Sequence, residues 1–337
     1  TREPIGVVLA ISAFNHPLNL IVHQVAPAVA TGCPVIVKPA DDTPLSCQRF
    51  ISILAEAGLP EGWAQMVCCD VSLAQKMVTD RRINFFSFIG SAKVGWHLRS
   101  LLSPGTRMAL EHGGAAPVIL DESADIDLLV PKLAKGGFYH SGQVCVSVQR
   151  VFVLGKQKAE IASKLGEYAN NLTVGNAVHE KTECGPLIRN REVDRVASWV
   201  TEAQSGGATV IAGGRKISNS CYAPTVLLNP PKEASVSINE IFGPVISLYE
   251  IENLGEAISR CNSLPFAFQA SIFSNDYSNI IKFFNSVDAS AVMVNDHTAF
   301  RVDWMPFAGR DQSGYGIGGI PYTMEDMTKI KMAVLSY

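Results

Sequence analysis

Three observations predict an α/β protein whose mostly parallel sheet is wound with helices on both faces. Short β-branched and apolar runs recur without polar alternation, as strands buried on both sides do. Each early run is followed by apolar residues at helical spacing, and glycine or proline punctuates the junctions. Strand and helix in strict succession imply crossover connections and a wound sheet.

The elements follow in order. Residues 4–11 read as a buried strand. Pro17 suits the first turn of a helix that carries Leu20, Ile21, Val25, Ala28 and Val29 on one face and stops near Gly32. A strand at 34–37 ends at Lys38 and Pro39. A helix from Thr43 and Pro44 aligns Cys47, Phe50, Ile51 and Leu54, and ends at Gly58 and Pro60. Strands at 64–68 and 83–89 alternate with helices at 72–78 and 91–102. A further strand runs to Glu111, followed by Gly113 and Gly114, where a second domain begins. There, strands at 118–120, 148–154, 270–273 and 291–294 accompany helices at 126–139, 159–171 and 189–205. A glycine-marked stretch passes through Gly213 and Gly214, and 296–321 reads as ordered loop.

With 337 residues and 47% hydrophobic content, the chain can bury a sizeable core in roughly two domains. A net charge of −3 with scattered lysines and arginines implies neither nucleic acid nor an anionic membrane as partner. No apolar run has the length of a bilayer span. The eight cysteines show neither metal-ligand spacing nor the density of a disulfide scaffold, so no metal is expected and a reducing, cytoplasmic setting is the simpler reading.

Several positions carry candidate chemistry, each beside a plainer reading. Gly90 and Ser91, with Gly95, stand at a strand-to-helix junction, where first-turn amides favour a phosphate. The spacing is not the Gly-x-Gly-x-x-Gly fingerprint, and a simply capped helix is the alternative. Lys38 sits at the carboxyl edge of the expected sheet, where ligands of wound folds bind, or is a solvated strand end. Asp41 either accepts from ribose hydroxyls or belongs to its turn with Asp42. Asn15 either donates to a developing oxyanion or caps a helix. Glu111 is either a general base tuned by partial burial or a solvated carboxylate. Cys145, between Val144 and Val146 after Gly142, is either a nucleophile or core thiol.

In combination these positions are far more specific. Phe14-Asn15-His16-Pro17, Val37-Lys38-Pro39-Ala40, Gly90-Ser91 with Gly95, Glu111 with Gly113-Gly114, and Gly142-Gln143-Val144-Cys145 stand in one order. Together they resemble the aldehyde dehydrogenase superfamily. Asn239-Glu240-Ile241-Phe242-Gly243-Pro244-Val245, Met305-Pro306-Phe307-Ala308-Gly309 and Ser313-Gly314 extend the resemblance over essentially the whole chain.

The resemblance implies an aldehyde dehydrogenase-like α/β fold: a cofactor-binding domain at 1–113, a catalytic domain at 114–312, and a C-terminal return segment and oligomerisation arm at 313–337. It implies Cys145 as nucleophile, Glu111 as base, and the Asn15 amide with the Cys145 backbone amide as oxyanion hole. Lys38 and Asp41 would meet the adenosine ribose, Ser91 the pyrophosphate, Glu240 the nicotinamide ribose and Phe242 the nicotinamide end. A carboxylate at Asp41 favours NAD, with NADP the alternative, although Asp is shorter than the family's more usual Glu. The implied reaction takes an aldehyde to a carboxylic acid through a cysteine thiohemiacetal and thioester. A retained Glu111 argues against a CoA-acylating variant.

Departures from the family pattern include His112 for a leucine, Ala115 for a lysine, Asp311 for a second lysine, and Cys69-Asp70 where a glycine is common. The family's N-terminal segment precedes the matching region, so the chain reads either as a fragment or as a shortened member. The alternative function is accordingly a noncatalytic relative on the same fold, with a structural or binding role. His16, Phe14, Arg301, Phe300 and Phe307 are the candidate substrate residues. With Phe138-Tyr139-His140 and Gly318-Gly319-Ile320-Pro321 they resemble the branch handling small anionic aldehydes such as phosphonoacetaldehyde, succinate semialdehyde or lactaldehyde. Arg301 is either an anion ligand or an ion-pair partner of Asp303. A homo-oligomer, dimer or tetramer, is implied as well.

Overall fold

Gly6 divides the strand expected at 4–11 into Arg2–Pro4 and Val7–Ile11. Its φ of 125° is open to glycine, and the Asn84 side chain occupies the space a Cβ would need. Asn84 Oδ1 accepts from the Val7 amide at 3.0 Å, while Arg2–Pro4 turns away to pair antiparallel with Thr328–Ile330. In the computed structural model, which describes residues 1–337, the chain divides into two units. One is Thr1–His112 with Val302–Tyr337, and the other is Gly113–Arg301.

The first unit holds a six-stranded sheet in the order Gly314–Tyr315, Arg107–Glu111, Ile83–Ile89, Val7–Ile11, Val35–Lys38, Ala64–Met66. All pairings are parallel except that of Gly314–Tyr315. Along Val7–Ile11 successive side chains enter opposite cores. Val8 and Ala10 pack with Ile21, Val25 and Val35, whereas Leu9 packs with Phe86, Phe88 and Leu98. Burial on both faces explains the absence of polar alternation in the sequence.

The second unit holds a seven-stranded sheet in the order Ala291–Val294, Gln269–Phe273, Pro117–Leu120, Arg150–Leu154, Val245–Ile251, Thr225–Leu228, Thr209–Ala212. Only the last pairing is antiparallel. Here too Val118 and Leu120 enter one core, with Leu133 and Leu165, and Ile119 enters the other, with Phe152 and Phe283.

Several elements differ from expectation. The first long helix is Asn19–Ala30, although the Leu20 amide already bonds the His16 carbonyl at 3.0 Å, so a turn precedes it. Thr209–Ala212, Thr225–Leu228, Val245–Ile251 and the helices Leu254–Cys261 and Tyr277–Ser286 were not among the elements read from sequence. The stretch at 296–321 is not loop throughout: it contains Gly314–Tyr315 and the start of the helix Ile320–Asp326. Residues from Val302 onward belong to the first unit. Gly314–Tyr315 pairs there with Glu111 and Leu110, and Trp96 Nε1 donates to the Gln312 carbonyl at 3.3 Å. No helix is long and apolar enough to cross a membrane.

Candidate active site

In the first unit, the candidate groups stand at the carboxyl ends of neighbouring strands. Lys38 closes Val35–Lys38 as a buried side chain, and its Nζ lies 2.7 Å from Asp41 Oδ1 and 3.3 Å from the Pro39 carbonyl. The Asp41 carboxylate is exposed, so a buried ammonium is held by one solvent-facing partner. Beyond Val7–Ile11, the half-buried Phe14, Asn15 and His16 lie in the bend before the helix. Asn15 is therefore not the N-cap, a position taken by Leu18.

Ser91 occupies the N-cap of Ala92–Ser100 with extended backbone (φ −65°, ψ 142°), but its hydroxyl caps nothing. The exposed hydroxyl and the first-turn amides remain available to an anion. A Cβ on Gly90 would come 2.7 Å from the Phe88 ring, and one on Gly95 would enter the His112 ring. Both glycines are thus required by packing. Glu111, half-buried, ends Arg107–Glu111, and its carbonyl accepts from the Gly90 amide at 3.0 Å. Asp70, one of the departures, caps Val71–Val78 by accepting from the Leu73 amide at 2.8 Å.

In the second unit, Cys145 sits in the turn at 144–147, closed by the Ser147 amide on the Val144 carbonyl at 2.9 Å. It is partly exposed, whereas Cys184, Cys221 and Cys261 of the same unit are buried. Three consecutive left-handed residues, His140 (φ 50°), Ser141 (φ 56°) and Gly142 (φ 70°), swing the chain into this turn. Non-glycine residues there are strained and need compensating bonds. Ser141 Oγ donates to the Gly185 carbonyl at 2.7 Å, and Gln143 Oε1 accepts from the Ile188 amide at 2.9 Å. On the other side, Thr298 Oγ1 donates to the Val146 carbonyl at 2.7 Å. Tyr139 lies within electrostatic reach of both Cys145 and Arg301, and burial pushes its phenol up to about 12.

A Cβ on Gly142 would enter the Gly243 carbonyl, so the Cys145 turn rests on the backbone of the Glu240-to-Pro244 segment. Phe242 in that signature also has positive φ, 47°. Glu240 points at Gly113, where a Cβ would overlap its carboxylate. The residue is half-buried, yet its Oε1 is sealed from solvent without a hydrogen-bond partner. Buried Gln149 brackets this segment: Nε2 donates to the carbonyls of Asn239 (2.7 Å) and Val236 (3.1 Å), and Oε1 accepts from the Ile241 amide at 3.0 Å.

Burial raises the Glu240 carboxyl from an ordinary 4.5 to about 8, against the opposing pull of the Gly114 amide and Arg195. Between these values the folded chain keeps a proton that the unfolded chain has lost. Stability is therefore expected to fall as pH rises through that window, by on the order of a few kcal/mol. Glu240→Gln removes the titration. Thermal unfolding across pH 5 to 9 is expected to give parent and variant alike near pH 5 and the variant higher above pH 8; parallel curves would contradict this.

The remaining substrate candidates are placed separately. Phe300 is exposed and Arg301 half-buried in the second unit, while Phe307 is buried in the first. Asp303, considered above as a partner of Arg301, lies 3.1 Å from His23 Nε2. Gln149, Thr298, Tyr139 and His112 are the residues of these surroundings that sequence reading assigned no role.

Residues 1–333 match the model of the aldehyde dehydrogenase family. The 3-sulfolactaldehyde dehydrogenase of Priestia aryabhattai is 36% identical over 337 residues, covering 99% of this chain and 70% of that protein. Aldehyde dehydrogenase 21 from Physcomitrella patens, solved with the reaction product succinate, superposes with a TM-score of 0.94 at 34% identity, covering 97% of this chain and 68% of that one. The glyceraldehyde-3-phosphate dehydrogenase of Methanocaldococcus jannaschii, solved with NADP, gives 0.94 at 34% identity over 98% and 73% of the two chains. The chain belongs to the aldehyde dehydrogenase family, whose members are NAD(P)-dependent oxidoreductases.

Proposed function

We propose that this chain oxidises a small anionic aldehyde to its carboxylic acid, with Cys145 as nucleophile. The observation that carries the reading is the Cys145 turn: a partly exposed thiol on a backbone fixed by Gly142, Gln143 and Thr298. The Cys145 thiolate attacks the carbonyl carbon, forming a C–S bond and an alkoxide. The Asn15 amide and the Cys145 backbone N–H stabilise that alkoxide as a thiohemiacetal. NAD(P)+, when bound, would supply the hydride acceptor that the passage from thiohemiacetal to Cys145 thioester requires. Glu111 then takes a proton from water as the water attacks the thioester, and the C–S bond breaks to release the acid and the thiolate.

The residues fit the cofactor. Lys38 and Asp41 are assigned to the adenosine ribose, the Ser91 hydroxyl and amide to the pyrophosphate, and the unpartnered Glu240 carboxylate oxygen to the nicotinamide ribose, with Phe242 at the ring. The Asp41 charge favours NAD, and Lys38 at 2.7 Å offsets part of it, which leaves NADP as a second substrate.

An anionic aldehyde is supported by three relatives whose named substrate or product carries a sulfonate, carboxylate or phosphate. Arg301 is its proposed ligand, and Phe14, His16, Phe300 and Phe307 are the other residues assigned to the substrate. Arg301→Ala is expected to lower kcat/KM at least tenfold for an anionic aldehyde and little for a neutral one of equal size, as loss of a charge-assisted bond requires. Equal losses on both would remove Arg301 from this role.

The same reading places the protein in a reducing, cytoplasmic compartment and makes it a homo-oligomer, dimer or tetramer. Ile330, Met332 and Val334, exposed at strand spacing, support a C-terminal contact. The deciding assay is NADH formation with a panel of aldehydes. No reduction with any of them by folded protein would favour the noncatalytic alternative.

A further inference from the structure

His112 is a buried polar ring, 1% exposed, immediately after Glu111. Its Nδ1 lies 2.9 Å from the Gly90 carbonyl oxygen. That oxygen only accepts, so Nδ1 carries the hydrogen. Burial lowers the imidazole's proton affinity and favours the neutral ring, so Nε2 is left as a bare lone pair. Nε2 is sealed without a partner, packed against Gly95. The ring is further wedged between Phe88 (5.7 Å) and the edge of Trp96 (5.8 Å).

A buried acceptor without a partner is unfavourable, and a leucine or phenylalanine would fill the same space without one. The position therefore makes physical sense through its other nitrogen. The Gly90–Ser91 peptide is planar and trans, so its carbonyl and the Ser91 N–H point in opposite directions. Glycine lets such a peptide turn over easily. With the carbonyl fastened to His112, the Ser91 N–H faces away from the core, out from the start of Ala92–Ser100.

We infer that His112 is a positioning residue: its Nδ1–H locks the Gly90–Ser91 peptide so that the Ser91 amide faces the dinucleotide's pyrophosphate. The inference rests on the cofactor role proposed above for Ser91. It adds a residue that touches neither cofactor nor aldehyde and acts on cofactor affinity rather than on the bond-making steps.

The test compares His112→Leu, which keeps bulk and removes the donor, with His112→Asn, whose amide nitrogen returns a donor near the Nδ1 position. NADH dissociation is followed by nicotinamide fluorescence, and kcat and the KM for NAD+ are measured on the full chain. The leucine variant is expected to unfold close to the parent's temperature, because the loss of the donor to the Gly90 carbonyl is offset by the loss of the unpaired Nε2 acceptor. It is expected to bind NADH about tenfold more weakly, with KM for NAD+ raised alike and kcat at saturation within about threefold. The asparagine variant is expected to recover most of that affinity. Parent-like NADH binding by the leucine variant, or equal loss in both stable variants, would overturn the inference. A parent that binds no NADH would instead overturn the cofactor reading, and the inference with it.

Discussion

Cys145→Ala is expected to abolish aldehyde oxidation, by about 10⁴-fold or more in kcat, with almost no change in thermal midpoint. The two halves of this result have separate causes. Without the thiolate no thiohemiacetal forms, so the hydride has no activated carbon to leave. The side chain is partly exposed, and removing it opens no sealed cavity. Cys184→Ala should show the reverse pattern. Its thiol is 1% exposed and bonds Ser141 Oγ, so the substitution costs about 1–2 kcal/mol of stability while activity persists. Thermal unfolding and steady-state rates on both variants make the comparison; activity surviving in Cys145→Ala would remove the nucleophile assignment.

Gly142→Ala is the second large effect, and it falls on stability. At φ 70° an alanine is strained by about 1 kcal/mol, and its Cβ would enter the Gly243 carbonyl. Relief requires parting the Cys145 turn from the Gly243-Pro244 backbone, so a loss of about 3 kcal/mol or more is expected. Gly58 provides the control: its φ is 92°, yet a Cβ there meets nothing within 4 Å. Gly58→Ala should cost only the conformational strain. Denaturant midpoints of the two variants separate these contributions, and equal losses would show that the close approach at Gly142 carries no weight.

Much of the parallel architecture was legible because buried strands declare themselves by unbroken apolar content, as in Val35–Lys38 and Ile83–Ile89. Thr209–Ala212 and Thr225–Leu228 are as short as Val35–Lys38, but no helix stands between them to mark the strand-to-helix alternation that frames it. The helix Leu254–Cys261 is different: Leu254, Ala257, Ile258 and Cys261 do show helical spacing behind an Asn253 cap, so its signal was present.

The candidate site residues stand in the sequence as motifs, but their surroundings do not. Only Gly142 of the three left-handed residues announces positive φ; Ser141 is held in it by its hydroxyl on the later Gly185 carbonyl, and the next turn residue, Gln143, is held by the Ile188 amide. Gln149 and Thr298 act on segments 87 or more positions away, a relation no local pattern contains. His112 stood out as a departure from the family pattern, and its meaning emerged only with the Gly90 carbonyl beside it.

The covalent intermediate tests the central claim most directly. The chain is mixed with NAD+ and a reactive aldehyde, quenched in acid within the first turnover and digested, and its peptides are weighed. The account predicts an acyl group on the peptide containing Cys145 and on no other cysteine, absent when NAD+ is omitted. NADH formation with the acyl group on Cys184 or any other residue, or with Cys145 unmodified under conditions that trap thioesters, would contradict it.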